Sequence, residues 1–390
     1  MPSYPGVYIE EIPGGVPTIS GVATSVTAFI GSALSGPFDE PVAIGRFADF
    51  EQIFGGLWIE SSLGFAVRDF FLNGGNQGII VRVHPADAAK TVETDFIGAD
   101  KESANQGLFA LKKVDLFNLL CIPPYNPQDN VDSIVVAAAV KLCEDRRAFF
   151  LVDPPSQWTS KDLAMSGIAT LGITSKNAAL FFPRLRAPNP LRNDQMEDFS
   201  PSGAVAGIYA RTDAQQGVWK AAAGRGAALT GIPDLSVSLT DGDAAELSKL
   251  AINCIRRLSS ESTFIWGSRT LEHDDRLVSE WKYVPIRRLG LFIEESVFRG
   301  TKWVVFEPND EPLWARIRVG IGNFLQELFH QGAFQGRTPN EAYFVKCDRT
   351  TMTQDEIDGG VVNMEIGFAP LRPAEFVVIR IQQLSTGQPT

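Results

Sequence analysis

The loop Asn73-Gly74-Gly75-Asn76-Gln77-Gly78 has the composition of a phosphate cradle. Such cradles run from a strand into a helix, so that free amide N–H groups at the helix start meet the anion. Here a helical pattern (65–72) comes first and an apolar strand follows, with no Lys-Ser or Lys-Thr after the glycines. That order predicts a helix-to-strand turn using glycine at positive φ. The histidines, His84, His273 and His330, each stand alone, without HExxH spacing or a Cys/His cluster. The acidic runs Asp241-Gly242-Asp243 and His273-Asp274-Asp275 read as solvated loops rather than cation sites. Asp153 ends an apolar strand, as catalytic carboxylates of α/β enzymes do, but Pro154 and Pro155 predict a rigid loop there. No GxSxG elbow or papain-like cysteine context offers a nucleophile. The residue types thus predict neither catalysis, nor a cofactor, nor a metal.

A chain of 390 residues with 44% hydrophobic and 21% charged residues buries a large core and divides into two or more domains. Its net charge of −11 argues against nucleic acid and anionic membrane as partners. Cys121, Cys143, Cys254 and Cys347 are widely spaced, three of them inside apolar runs, which predicts buried free thiols in a reducing cytoplasm. The start, MPSYPGVYIEE, has no signal-peptide pattern, and no apolar run reaches membrane-spanning length. The expectation is synthesis and folding in the bacterial cytoplasm, without membrane insertion.

Pro5 and Pro13 bracket a β-prone stretch in which Val7 and Ile9 face one side and Tyr8 and Glu10 the other. No hairpin turn joins it to a neighbour, so it is either an edge strand of its own sheet or a strand lent to another chain. Residues before Ser20 are expected to add little to the core. From about 21 to 270, short apolar strands (26–30, 79–83, 117–122, 148–152, 179–182) alternate with helical patterns (62–72, 131–142), which predicts a layered α/β domain. A surface loop is expected after Phe182, a helix starting over 203–210 and another over 244–258.

A second unit follows: a helix over 287–298, a strand over 303–306 and a long helix over 312–329. Asn309 or Asp310 suits the cap of the long helix and Pro312 its first turn. Leu313, Trp314, Ile317, Ile321, Phe324, Leu325 and Leu328 share one face, and Arg316, Asn323, Gln326, Glu327 and His330 the other, with Arg318 on the flank. Strands over 342–346, 361–368 and 376–381 complete an αβαβββ unit.

Residues 201–224, PSGAVAGIYARTDAQQGVWKAAAG, carry the most specific pattern. Gly203, Ala204, Ala206 and Gly207 suit close backbone approach at a helix start, and Tyr209, Arg211, Asp213, Gly217, Val218 and Trp219 follow. This stretch closely resembles the signature of contractile tail sheath proteins of myophages and phage-tail-like injection systems. YPGVYIEEIPGGV (4–16), FFLNGGNQGIIVRV (70–83), VDLFNLLCIP (114–123), RRAFFLVDPP (146–155), AALFFPRLRAPNP (178–190), INCIRRL (252–258), FIWGSRTL (264–271) and PAEFVVIRI (373–381) match the same family in the same order. The short interval between Val83 and Leu108 is similar to the compact type, without a protruding domain.

The resemblance implies a mixed α/β fold: a linker arm (1–20), an α/β domain (21–275), an inner tube-facing domain (276–370) and a C-terminal strand or arm (371–390). It implies a structural subunit rather than an enzyme, forming stacked hexameric rings around an inner tube, with baseplate and terminal cap proteins as further partners. A sheath-related cap or baseplate-proximal paralogue is the alternative, and an oligomeric α/β enzyme, which would need a convergent polar site, is a remote third. Tyr4, Val7, Tyr8, Ile9, Glu10 and Ile12 would form the exchanged strand. Phe376, Val378 and Arg380 would be a second linker or part of the acceptor sheet. Arg316, Arg318, Asn323 and Gln326, with Lys302, would face the tube.

Overall fold

The computed structural model describes residues 18–84, 92–258, 262–272 and 279–373. β1 (Thr27–Ser32), β2 (Val42–Ile44), α1 (Phe47–Phe54), α2 (Leu63–Leu72), β3 (Gly78–His84), α3 (Glu93–Ile97) and β4 (Leu119–Cys121) come first. α4 (Ser133–Asp145), β5 (Phe149–Val152), α5 (Lys161–Leu171), β6 (Ala178–Phe182), β7 (Leu185–Asn189), β8 (Gln195–Phe199) and α6 (Ser202–Gln216) follow. Then come β9 (Ala228–Leu229), β10 (Asp234–Leu235), α7 (Asp241–Lys249), β11 (Ile252–Leu258) and β12 (Ser262–Trp266). The last group is α8 (Val284–Gly300), α9 (Glu311–His330), α10 (Pro339–Ala342), β13 (Tyr343–Lys346), α11 (Gln354–Asp358) and β14 (Glu365–Phe368).

Nine strands form one sheet in the order β2-β3-β1-β4-β5-β6-β11-β12-β9, parallel from β3 to β11 and antiparallel at both margins. Its central strands are apolar throughout because both faces are covered. Phe29, Leu119, Cys121, Phe149, Leu151 and Phe181 point to the side packed by α1, α2 and α6. Ala28, Ile30, Leu120, Phe150, Leu180 and Phe182 point to the side packed by α4 and α7. Helices on both faces of a mostly parallel sheet make this a mixed α/β fold.

A separate apolar cluster unites α8, α9 and the β13–β14 pair. Asp310 caps α9, accepting from the Leu313 N–H at 3.1 Å, with Pro312 in the first turn. All seven residues assigned to the apolar face of α9 are buried.

Several expectations change. The helix over 244–258 is α7 followed by strand β11, because Ala251 takes a left-handed turn (φ 58°) that ends helical geometry. Asp241 and Asp243 lie in the first turn of α7, where Asp243 and Thr240 form a reciprocal cap. The loop after Phe182 is the β7–β8 hairpin, part of a small sheet with β10. The strand over 303–306 is a 3-10 turn (Lys302–Val304) and a β-turn. Ile19 is buried against α8, beside Gly300, so the core begins earlier than Ser20. Tyr4, Val7, Tyr8, Ile9, Glu10, Ile12, Phe376, Val378, Arg380 and His273 lie outside the described residues.

Candidate functional site

In open α/β sheets, ligands bind beyond the carboxyl ends of the strands where the chain reverses direction across the sheet. That point falls between β1 and β4, and it is filled. The Ser61 hydroxyl donates to the Ser32 carbonyl at 2.7 Å, and the Ser62 N–H to the Tyr125 carbonyl at 2.8 Å. Trp58 and Tyr125 meet edge to face across it, with centroids 6.2 Å apart. The glycine-rich loop is a helix-to-strand turn: Asn73 ends α2, Gly74 has φ 112° and β3 begins at Gly78. Asn73 instead clasps another loop, accepting from the Thr230 N–H at 2.8 Å and donating to the Thr230 carbonyl. Among the described residues, no three His, Cys, Asp or Glu side chains converge as metal ligands would. All four cysteines are buried and free, and burial pushes the Cys254 thiol up to about 12 and Cys347 to about 11.

The glycines of the 201–224 segment let α6 pack backbone to backbone on α2. A Cβ on Gly203 would stand 2.1 Å from the Ala66 carbonyl oxygen, and one on Gly207 2.4 Å from that of Phe70. Asp153 anchors the helix start, accepting from the Ser202 N–H and hydroxyl, each at 2.8 Å. Burial raises its carboxyl to about 6, while the Ser202 donors pull the other way.

Further along α6, Asp213 forms a bidentate pair with Arg288 of α8 at 3.0 and 2.6 Å, both side chains buried. The Thr24 hydroxyl donates to Asp213 at 2.7 Å, and Arg288 donates to the Thr24 carbonyl at 2.9 Å. The guanidinium also lies 4.8 Å from the Tyr209 ring centroid. One knot therefore holds the chain start, α6 and α8. A buried pair of this kind is costly to break singly, about 3–5 kcal/mol, because the survivor keeps an uncompensated charge.

On α9, Arg316 and Asn323 are exposed, while Arg318 and Gln326 are half-buried. Arg316 pairs with Glu307 at 3.3 Å and stacks 4.4 Å from the Trp303 centroid. Arg318 pairs with Glu311 at 2.6 Å and also donates to the Cys347 carbonyl. Gln326 accepts from the Tyr343 hydroxyl at 2.6 Å and meets His330 at 2.8 Å. Lys302 has no ion pair among the described residues and lies 5.5 Å from the Phe298 centroid. The structure thus shares these side chains between a surface and internal roles that their spacing did not reveal.

β13 and β14 form an antiparallel two-stranded ribbon, Tyr343↔Phe368 to Lys346↔Glu365. The Phe344 ring covers Gly367 across the pair, within 2.1 Å of where a Cβ would stand. Among the described residues no third strand joins either outer edge. A ribbon of this size is marginal alone.

Two family models match the chain: the phage tail sheath protein central domain over residues 98–271 and the phage tail sheath C-terminal domain over residues 278–383. The chain belongs to the phage tail sheath protein family. A putative prophage major tail sheath protein of Pseudomonas aeruginosa (strain UCBPP-PA14) is 25% identical over 98% of this chain and 97% of its own length. The sheath subunit of an extracellular contractile injection system, PVC, solved in the contracted state, is 31% identical with TM-score 0.78 over 98% of each chain. A chain of the anti-feeding prophage (AFP) baseplate is 29% identical with TM-score 0.73, covering 98% of this chain and 99% of its own.

The sheath subunit is a structural protein, and its family signature has a structural meaning. Gly203, Gly207, Tyr209 and Asp213 are the contacts of α6 with α2 and α8. Arg288 and Thr24 escaped sequence reasoning: one of two adjacent arginines in a helix and a threonine ahead of the first strand carry no local signal.

Proposed function

We propose that this sheath subunit polymerises as stacked hexameric rings around an inner tube. The polymer shortens by a two-state rearrangement of rigid bodies and drives the tube through a target envelope. The observation that carries this reading is the end-to-end likeness to a sheath subunit from a contracted particle. The edges of the β13–β14 ribbon, which pair with no further strand among the described residues, support strand exchange, since added strands would complete a sheet that is marginal alone. Residues 4–12 are the donor strand to a neighbour, and Phe376, Val378 and Arg380 belong to a second linker or to the acceptor sheet.

The linker arm (1–20), α/β domain (21–275), tube-facing domain (276–370) and terminal strand (371–390) are the parts of each subunit in this scheme. Arg316, Arg318, Asn323, Gln326 and Lys302 face the tube. Exposed ion pairs there would contribute about 0–1 kcal/mol each, weak enough to release during contraction. Baseplate and cap proteins bound the polymer, which is made in the bacterial cytoplasm and works as part of a phage tail or injection particle. The likeness to an AFP baseplate chain favours a second reading, a baseplate-proximal paralogue.

Expression with and without residues 1–17, followed by negative-stain imaging, tests the assembly. Long striated cylinders from the full chain and folded monomers from the truncated one are expected. Short caps from the full chain would favour the paralogue, and cylinders from the truncated chain would contradict the donor strand.

A further inference from the structure

The turn between α8 and α9 is built against its own chemistry. The Glu307 N–H donates to the Val304 carbonyl at 3.1 Å, Val305 sits at φ −62°, ψ 128°, and Phe306 at φ 74°. This is a type II turn whose third position calls for glycine or asparagine. Phenylalanine there carries backbone strain, and no packing offsets it: Phe306 is 102% exposed and Val305 63%. A strained, solvated aromatic weakens the isolated subunit, so its benefit lies in a contact outside the chain.

The chain also carries a matching recess. A groove of about 640 Å3 opens between α7 and β12, with Ala223, Ala244 and Ala245 in its lining and Trp266, 41% exposed, as a wall. Lys220 and Lys249 stand on its rim without ion pairs among the described residues. In the same groove, buried Arg256 pairs with exposed Asp241 at 2.7 Å and lies 5.8 Å from the Trp266 centroid, its Nε without a hydrogen-bond partner among the described residues. At the base of the hook Glu307 pairs with Arg316 and Glu311 with Arg318, which leaves Asp310 as an exposed acid without an ion pair among the described residues. Apolar tip meets apolar wall, and the Asp310 carboxylate meets the Lys220 and Lys249 ammonium groups of the rim.

Hook and groove lie at opposite ends of α8. The Val284 N–H at the helix start donates to the Ser268 carbonyl of the groove at 3.0 Å, whereas the hook follows Gly300. Seventeen helical residues separate them by roughly 25 Å. The hook therefore cannot reach the groove of its own subunit. We infer that the Val305–Phe306 hook of one subunit seats in the α7–β12 groove of a second copy, a head-to-tail contact of the kind that propagates into an open stack. This rests on the proposal that the chain polymerises, and it adds a side-chain anchor separate from any exchanged strand.

Two variants of the full-length protein test it. Phe306→Gly relieves the turn, so the subunit's Tm should equal or exceed wild type, while the concentration needed for polymerisation rises at least about tenfold. Phe306→Cys combined with Ala245→Cys should give an oxidation-dependent ladder of cross-linked copies in assembled sheath, absent from either single variant. The native cysteines are buried and do not compete. A Phe306→Gly protein that polymerises at the wild-type concentration, or a double-cysteine sheath without a ladder, overturns the contact. Normal cylinders that lose only tube binding would overturn it too, by assigning the hook to the tube. Failure of the wild-type chain to polymerise at all would instead remove the underlying proposal.

Discussion

Asp153 shows how one residue can look catalytic and serve a fold. A strand-end carboxylate with a carboxyl raised to about 6 fits a general base, yet its oxygens are occupied by the start of α6. The raised value fixes the sign of its pH effect. The unfolded chain holds the same group near ~3.9, so its contribution is full below about pH 4 and lost as pH rises through about 6. Part of the residue reaches solvent, which moderates the loss to on the order of 2 kcal/mol. Chemical denaturation at pH 4.5 and 7.5 should therefore show a smaller pH dependence for Asp153→Asn than for wild type. Equal dependence in the two proteins would remove Asp153 as the titrating group.

At the scale of elements, α6 and α2 approach so closely that two glycines decide the geometry. Gly207→Val would drive a side chain into the Phe70 carbonyl and the Asn73 side chain, and neither can retreat, since Asn73 also holds the Thr230 loop. Overpacking of this kind costs about 1–3 kcal/mol, and separation of the helices more, so the variant should lose several degrees of Tm. An unchanged Tm would mean that the helices slide apart without loss. The small residues at 203–207 announced this packing in the sequence, and the apolar stripe and caps of α9 were equally legible because they are local. What stayed hidden is non-local. Residues 252–258 extend a helical-looking stretch, but pairing with β6 and β12 makes them a strand. Residues 185–189 look like a proline-rich loop, yet they pair with β8 and β10. Trp303–Phe306 has strand-like composition, but it turns between two helices and meets no strand.

Across the whole molecule, three apolar clusters fill the described chain, and the Arg288–Asp213 knot ties α6 to α8. Ile19, Val22 and Thr24 strap the chain start along α8, so the preceding residues leave from a fixed point. An arm that leaves from an anchored point suits a polymer whose subunits move as units and stay linked. The arm residues themselves could be assigned from sequence only through family resemblance, because a lone strand does not encode its partner. An image reconstruction of the assembled particle, at a resolution that traces residues 4–12, addresses the linkage directly. These residues should be hydrogen-bonded along an edge of the β13–β14 ribbon in an adjacent subunit; finding them paired within their own subunit would refute strand exchange.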